Sequence, residues 1–364
     1  MANLFTPNAL TFTDEQVRSV QELINDAIVK GGDFKAFVTL VSGIISGKEI
    51  GHLGKMSDVG RASTGCEPTW VSPSIPITKN TWAPKGWEIP LQICAKEFAN
   101  SLAIYSQKWG TPSPDNMEGT DALTLFETKL EEAVSEMFWR LIWFGDVDAA
   151  NLNGSPAGVI TNGKDVDLIN IVDGFWKQAI AIATSNPLQR VTIAANSSAT
   201  YALQRSDLSP LLAWGYFEKM IEDAPLILKG LPASEVVIYS TLGLYEKAIK
   251  YLKTAENGYL LPLESSLGQA MNGRQDLMIN GYRITPMPIQ DQLINDWQNN
   301  GTKWNLPHRA IMCTKDNLMV GFPGAAPVET LEFHFDQNKR TNNWFAEDEI
   351  DVKFSRNDLI MVAY

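Results

Sequence analysis

One stretch near the middle of the chain, FETKLEEAVSEMFWRLIWFGD from Phe126 to Asp146, constrains the fold most strongly. Its first half predicts an amphipathic helix, because apolar residues recur there at three- and four-residue spacing. These residues are Phe126, Leu130, Ala133, Met137 and Leu141. From Phe138 to Phe144 only Arg140 is polar, so that end has no face left for water. We therefore expect Trp143 to be buried and Glu132 to be exposed.

The flanking residues indicate where this helix begins and ends. Thr120 or Thr124 can cap its N-terminus, with Glu127 three residues after Thr124, and Gly145 can stop it. The apolar end is too short to cross a bilayer, which needs about 20 apolar residues. The sequence therefore predicts a helix at about residues 123–144, at the centre of a soluble body.

A proline-rich segment precedes the helix, EPTWVSPSIPITKNTWAPKGWEIPLQI from Glu67 to Ile93. Five prolines within it exclude a helix and a central strand, so the segment must be extended and lie at an edge. We expect a projecting loop or hairpin reaching about 35 Å. Its tryptophans Trp70, Trp82 and Trp87 would expose a large apolar area, so we expect another copy to cover them. The alternative is a loop folded back on its own core.

Charge and cysteine usage exclude several classes of protein. The formal net charge of -12 and the lack of a basic cluster argue against a protein that reads DNA. The start of the chain lacks a signal peptide, so we expect folding in the cytoplasm. Three widely spaced cysteines and three widely spaced histidines indicate free thiols and structural histidines. We expect no metal, no cofactor and no membrane span.

Two patterns resemble catalytic motifs without meeting their requirements. GVITNGKD, from Gly158 to Asp165, fits a phosphate-binding loop except that Asp165 stands where Ser or Thr would hold magnesium. A glycine hairpin turning at Asn162-Gly163 is the favoured interpretation. Eleven tryptophans and many carboxylates would suit a carbohydrate-active enzyme, but no two carboxylates can be placed at catalytic separation. No GxSxG motif occurs.

Beyond the helix the chain alternates between helical and strand patterns, which predicts an α+β fold. We expect helices at residues 175–183, 198–203 and 242–252, and strands at VTIAAN and EVVIYS. The end of the chain predicts strands at LEFHFD, EIDVKF and LIMVAY, where EIDVKF places Ile350, Val352 and Phe354 inward.

The order of these elements resembles the major capsid protein of tailed bacteriophages, the Hong Kong 97-like fold. The residues that carry the resemblance are WEIPLQICAKEF, FETKLEEAVSEMFWRLIWFGD followed by NLNGSPAGVITNG, and HRAIMCTKDNLMVG to EIDVKFSRNDLIMVAY. The resemblance covers nearly the whole chain. It implies an N-terminal arm at 1–55, an extended loop at 56–93 and a peripheral domain at 94–170 containing the spine helix. An axial domain at 171–331 and closing strands of the peripheral domain at 332–364 complete the expected organisation.

The resemblance also implies a mechanical function, in which hexamers and pentamers of the chain tile an icosahedral shell around double-stranded DNA. The shell would bind DNA without sequence specificity, and a scaffolding protein, a portal and decoration proteins would be further partners. Arm and loop would lie on neighbouring subunits. The candidate contact residues are Phe5, Phe12, Trp70, Lys79, Trp82, Lys85 and Trp87. Some relatives crosslink a loop lysine to an asparagine of a neighbour, but nothing identifies an acceptor for Lys79 or Lys85.

Two other functions remain open from the sequence. Encapsulin nanocompartments share this fold and enclose enzymes, although the arm of about 55 residues before the loop favours a virion. An aromatic-rich carbohydrate-active enzyme is the alternative from a different class, and its mark would be two carboxylates in one cleft whose substitution abolishes turnover. We expect a structural protein, not an enzyme, located in the virion and assembled in the cytoplasm of a bacterial host.

Overall fold

The computed structural model describes residues 37–53, 77–94, 119–151, 159–255, 277–324, 330–336 and 341–364. The candidate contact residues Phe5, Phe12 and Trp70 lie outside these ranges. The strands in chain order are β1 Thr39–Ser42, β2 Glu49–Leu53, β3 Ile77–Thr81, β4 Lys85–Cys94, β5 Ala150–Asn151, β6 Val159–Ile160, β7 Arg190–Val191, β8 Val236–Ser240, β9 Leu277–Ile279, β10 Tyr282–Pro286, β11 Ala310–Thr314, β12 Leu318–Phe322, β13 Thr330–Asp336, β14 Thr341–Phe354 and β15 Ile360–Ala363. The α-helices are α1 Gly119–Phe144, α2 Phe175–Ser185, α3 Tyr201–Asp207, α4 Pro210–Asp223, α5 Leu226–Lys229, α6 Leu242–Ala255 and α7 Pro288–Trp297.

Helix α1 is the predicted spine helix, and its 26 residues span about 39 Å. Trp143 is fully buried and the Glu132 side chain is exposed, as expected. The buried stripe is partly different from the prediction: Val134 and Phe138 are buried, whereas Ala133 is exposed. The larger side chains of Val134 and Phe138 bury more apolar area than Ala133 would. Thr120 and Thr124 both lie inside the helix, so neither is its cap.

The C-terminal end of α1 is fixed by two glycines in close backbone contact. The Gly145 N–H donates to the Leu141 carbonyl at 3.0 Å, and the Gly174 N–H donates to the Gly145 carbonyl at 2.8 Å. A Cβ atom on Gly145 would lie 2.3 Å from the Val172 carbonyl oxygen, far inside van der Waals contact. Gly145 therefore ends the helix as predicted, and it also lets the loop before α2 approach.

A five-stranded sheet packs against α1, where Trp87 of β4 and Phe322 of β12 contact Phe138. Strand β14 is its centre, pairing antiparallel with β4, β12 and β13, while β1 pairs parallel with β12. Among the described strands β4 pairs with β14 alone, and it carries Pro90 opposite Phe345. The proline-rich segment thus ends in an edge strand, as its composition predicts.

A six-stranded sheet in the order β7-β15-β11-β8-β10-β9 forms the second body. Both of its faces are covered, since Ile311 and Cys313 of β11 belong to one apolar core and Ala310 and Met312 to the other. This two-sided burial explains why the strands AIMCT and LIMVAY are almost continuously apolar.

The assignment of strands to sheets differs from the expectation at two places. Strand β12 lies within 171–331 but pairs with β14, and strand β15 lies within 332–364 but pairs with β11 and β7. Two short connections therefore cross between the sheets, at 315–317 and at 355–359. Buried Asn317 joins the two crossings, because its side-chain amide donates to the carbonyls of Arg356 at 3.0 Å and Leu359 at 3.2 Å.

The first core joins both sheets around the apolar end of α1. Phe138 contacts Trp87 of β4 and Phe322 of β12, with ring centroids 5.3 and 6.3 Å apart. One helical turn later, Trp143 contacts Phe175 of α2 at 5.2 Å and Tyr239 of β8 at 6.3 Å. The second core lies on the opposite face of the six-stranded sheet, under α4 and α6.

The helix predictions for the second half of the chain are correct in part. The expected helices at 175–183 and 242–252 are present as α2 and α6, while the one at 198–203 begins at Tyr201. Helices α4 and α7 were not predicted. VTIAAN contributes only Val191 to a strand, the two-residue β7, and a 3₁₀ helix follows at Ala194–Ser197.

Candidate subunit-contact surfaces

Strands β2 and β3 form an antiparallel hairpin. The 23 residues 54–76 connect the end of β2 to the start of β3. Among the described residues these strands pair only with each other, so no ladder continues from the hairpin into either larger sheet. Lys79 and Glu49 form an ion pair across it at 2.6 Å, and both side chains are half exposed. The paired strands at 49–53 and 77–81 therefore do not coincide with 56 and 93, the bounds expected for an extended loop.

Trp82 and Trp87 are buried within their own subunit, which corrects the expectation that a neighbouring copy covers them. Trp87 is 3% exposed and packs edge-on against Phe138 of α1. Trp82 is 2% exposed and lies over Gly321 of β12, where an added Cβ atom would approach the indole to 2.9 Å. The loop exit folds back onto the sheet, because this buries both indoles within one chain. Lys79 and Lys85 are exposed, and both remain contact candidates.

An open cleft of about 870 Å³ lies beside edge strand β4. Its lining includes six acidic residues: Glu88, Asp165, Asp167, Glu347, Asp348 and Glu349. Arg140 contributes the cationic group; its guanidinium pairs with Glu136 at 3.1 Å and stacks 4.4 Å from the centre of the Trp297 ring. Burial lowers the pKa of Arg140, against the opposing effect of Glu136.

Five large apolar side chains are exposed on the helices that cover the six-stranded sheet. We call them the axial apolar group: Leu203, Leu211, Leu212, Leu226 and Ile227. Leu226 is 84% exposed and Leu211 is 60% exposed. No sequence pattern predicted this group, although helix α5, LILK, carries three consecutive apolar residues of which only Leu228 is buried.

A partly buried carboxylate, Asp291, and two buried side chains, His308 and Arg309, lie where α6, α7 and β11 meet. The Asp291 carboxylate caps α6 by accepting from the N–H groups of Leu242 at 2.6 Å and Gly243 at 3.2 Å. Burial raises the pKa of Asp291 to about 6, although these hydrogen bonds oppose it. His308 Nε2 lies 3.1 Å from the Gln204 carbonyl oxygen, and burial lowers the pKa of His308 to about 4.

Arg309 joins the end of α1 to this junction. Its guanidinium donates to the carbonyls of Leu306 and Asn305 and to the Gln298 side chain, and it lies over the rings of Phe144 and Trp176. Burial lowers the pKa of Arg309 to about 9, with Asp291 acting in the opposite direction. Hydrogen bonds hold Asp291 and Arg309 in the interior, which is the usual condition for burying charged groups.

Lys177 of α2 fixes the loop that follows α1. Its ammonium group pairs with Asp146 at 2.5 Å, Asp148 at 2.6 Å and Asp173 at 3.0 Å. Although burial opposes the charge, hydrogen bonds with the three carboxylates raise the pKa of Lys177 above its usual value. A lysine therefore occupies the position between these carboxylates. In the described ranges no group of three or more His, Cys, Asp or Glu side chains is arranged to hold a metal ion.

The segment that resembles a phosphate-binding loop is a turn with a structural role. Gly163 has a φ of +84°, and the Lys164 ammonium lies 4.8 Å from the centre of the Trp297 ring. Asp165 caps a 3₁₀ helix by accepting from the Asp167 N–H at 3.1 Å. The predicted hairpin is not seen in the described residues, because β6 pairs with β5 in parallel. None of the helices in the described ranges is long and apolar enough to span a bilayer.

No protein-family model matches the sequence, and no curated protein is similar enough to count as a relative. Solved structures do resemble the chain. A chain of the procapsid of satellite phage P4, in a structure that includes the size determination (Sid) protein, superposes with a TM-score of 0.50 at 10% identity. The match covers 94% of this chain and 98% of that one.

Two further structures are similar at lower scores. The mature capsid of bacteriophage PhiM1 matches with a TM-score of 0.43 at 13% identity, covering 91% of this chain and 86% of that one. The holo-SrpI encapsulin of Synechococcus elongatus matches with a TM-score of 0.42 at 8% identity, covering 90% and 85%. The procapsid match confirms the predicted α+β, phage-capsid fold class over nearly the whole chain.

Proposed function

We propose that this chain is a structural major capsid protein that self-assembles into the icosahedral shell enclosing a phage genome. The observation that carries the proposal is the fold shared with the P4 procapsid chain over 94% of this chain and 98% of that one. A structural match over only half of this chain would leave the other half free to form a separate catalytic domain. Here one fold accounts for both chains almost from end to end, and the role that follows is mechanical, not enzymatic.

The two sheets supply the proposed domains. The five-stranded sheet with α1 is the peripheral domain, and the six-stranded sheet with α3 to α6 is the axial domain. The axial apolar group suits contacts between copies, since exposed apolar side chains on three consecutive helices gain free energy only when another surface covers them. Closed symmetric shells need such repeated contacts on every copy.

The hairpin β2–β3 and the residues it carries form the second proposed contact. Lys79 on β3 and Lys85 at the start of β4 are exposed, and Trp70 lies in the connecting residues 54–76. We propose that these residues, with Phe5 and Phe12 of the N-terminal arm, contact neighbouring subunits. Trp82 and Trp87 are no longer part of this set, because their own subunit buries them.

The charge of the chain suits a container for DNA. With a net charge of -12, the shell would attract phosphates weakly and leave the genome free to be packed and released. We propose that the shell encloses double-stranded DNA without sequence-specific binding and is assembled in the cytoplasm of a bacterial host. A scaffolding protein, a portal and decoration proteins are the further partners of this proposal.

Electron microscopy and sedimentation of the expressed full-length chain test the proposal. We expect capsomers or closed shells, formed by the chain alone or with a co-expressed scaffolding protein. A nuclease-protection assay on shells from infected cells separates the two kinds of container: protected double-stranded DNA supports a virion, whereas an enclosed enzyme identifies an encapsulin. A chain that stays monomeric under every assembly condition contradicts both.

A further inference from the structure

Two short segments cross the outer face of the five-stranded sheet, opposite the face that packs on α1. We call residues 43–48 and 80–84 the strap. Ile44 and Trp82 of the strap cover Gly321 of β12, where an added Cβ atom would lie 2.8 Å from Ile44 and 2.9 Å from Trp82. The strap segments bind each other, because the Trp82 N–H donates to the Lys48 carbonyl at 3.0 Å and the Gly47 N–H donates to the Trp82 carbonyl at 2.9 Å. The strap joins the hairpin to the body of the subunit.

A buried carboxylate on β14 receives the strap. Asp351 pairs with Gly321 in the sheet and is 1% exposed. One carboxylate oxygen accepts from the Ala83 N–H at 2.6 Å, and the other accepts from the Val352 N–H at 2.8 Å. The ammonium group of Lys353 lies 3.6 Å from the Asp351 carboxylate and balances its negative charge. A second polar contact lies beside it, where the Asn80 side-chain amide donates to the Phe354 carbonyl at 2.6 Å.

Burying Asp351 is costly, and sheet formation does not require it. The strand EIDVKF is already held by Ile350, Val352 and Phe354, whose side chains face the core on the other side of the sheet. Burial of a carboxylate lowers stability unless hydrogen bonds compensate, and burial raises the pKa of Asp351. What the carboxylate adds is a fixed position for one backbone group, the N–H of Ala83, just beyond the end of β3. Buried polar groups often serve such specificity at the expense of stability.

We propose that Asp351 is a positioning residue, which holds the base of the β2–β3 hairpin against the five-stranded sheet and so sets the direction in which the hairpin leaves the subunit. No ladder hydrogen bond from β2 or β3 reaches a larger sheet within the described ranges, so the strap contacts determine that direction. Contacts within one subunit therefore fix the orientation of the hairpin before the subunit binds a neighbour. This deepens the proposed function, because a contact made at the far end of the hairpin depends on the angle at its base.

Amide hydrogen exchange of the full-length subunit tests the positioning role directly. In Asp351→Ala we expect the amides of 77–83 to exchange about tenfold faster or more, since a charge-assisted hydrogen bond is lost. The amides of β12 and β15 should stay within about twofold of the original protein. Asp351→Asn keeps a carbonyl oxygen that can accept from Ala83, so it should restore most of the protection. Glu332→Ala, which removes an exposed carboxylate from the same sheet, is the matched control and should change nothing.

Two exchange results would overturn the inference. One is unchanged protection of 77–83 in Asp351→Ala; the other is faster exchange spread evenly over both sheets, which would indicate a purely structural role. Assembly is scored separately on the same variants, where we expect folded Asp351→Ala subunits to form at least about tenfold fewer closed shells than Asp351→Asn. Equal yields would contradict the link to assembly. If the unsubstituted chain forms no shells, the proposed function fails, while the exchange result still decides the positioning role.

Discussion

Single residues at the end of α1 decide how the two sheets are joined. Phe138 reaches the five-stranded sheet through Trp87 and Phe322, and Trp143 reaches the six-stranded sheet through Tyr239. The aromatic run FWRLIWF is thus a junction, and its residues divide between two partners according to helical position. Loss of one aromatic ring at this junction removes both apolar area and an edge-on ring contact.

Trp87→Ala should destabilise the isolated subunit. We expect the free energy of unfolding to fall by about 3–5 kcal/mol, as for other large-to-small changes in a core. Chemical denaturation of the subunit measures this change. The exposed Leu226→Ala should stay within about 0.5 kcal/mol. If the Trp87→Ala subunit is as stable as the original but fails to assemble, our interpretation is wrong. A neighbouring copy would then cover this tryptophan.

His308 should make the subunit sensitive to acid. Its pKa is lowered from 6.5 to about 4 in the folded state, so its contribution is fully present above pH 6.5 and is lost as the pH falls towards 4. The loss amounts to about 3 kcal/mol by linkage. The raised pKa of Asp291 has the opposite effect on the free energy of unfolding. Its stabilising contribution is fully present below about pH 4 and is lost as the pH rises through about 6.

Comparison with His308→Gln separates the two effects. The difference in free energy of unfolding between the original chain and this variant should shrink as the pH is lowered from 7 to 4. Urea denaturation at several pH values measures it, and Asp291 cancels because both proteins contain it. A difference that is constant with pH would show that His308 does not titrate differently on folding.

At the scale of elements, connections matter as much as helices and strands. The end of α1 and the start of α2 touch through the backbones of Gly145 and Gly174, and the two crossings between the sheets are joined by Asn317. These short connections fix how the elements sit relative to one another. A side chain placed between them must move the backbone.

Gly145→Ala and Gly215→Ala should have opposite effects on stability. A Cβ atom at Gly145 would lie 2.3 and 2.4 Å from two carbonyl oxygens, so we expect a loss of at least about 2 kcal/mol. Gly215 lies within α4 with no atom within 4 Å of an added Cβ, so alanine should stabilise by about 0.5–1 kcal/mol. Thermal and chemical unfolding of both variants test this pair. Equal effects of either sign would show that the backbone contact at Gly145 is not a constraint.

At the scale of the whole molecule, exposed apolar side chains separate folding from assembly. The axial apolar group contributes little to the folded subunit, because water already reaches most of its area. The double change Leu226→Asp and Ile227→Asp should therefore leave subunit stability within about 1 kcal/mol and prevent capsomer formation. Analytical sedimentation and circular dichroism measure the two properties.

Leu188→Asp is the matched control for this experiment. Leu188 is 82% exposed but lies outside the axial apolar group, in the 3₁₀ helix Pro187–Gln189. We expect this variant to assemble as the original chain does. If both variants lose assembly equally, added negative charge is the cause and the axial apolar group has no specific role.

The pattern of residue types was sufficient for some predictions and misleading for others. The edge position of the proline-rich segment followed from Pro90, whose missing N–H excludes a central strand. The burial of Trp143 followed from the lack of any polar face around it. The fate of Trp82 and Trp87 did not follow, because a tryptophan in an extended segment has the same pattern whether its own sheet or a neighbour covers it. Asp351 was also missed, since alternation places it on the side opposite the core.

What the sequence by itself determined is local: the spine helix and its stop at Gly145, the edge strand, the buried character of the closing strands, and the order of elements that resembles a phage capsid protein. These properties depend on spacing and backbone chemistry within a few residues. The tertiary structure alone decided which sheet each strand joins, which face of the five-stranded sheet the strap covers, and where the hairpin begins. Those outcomes depend on contacts between residues far apart in the chain, such as Ala83 with Asp351 and Trp82 with Gly321, whose energies no local pattern contains.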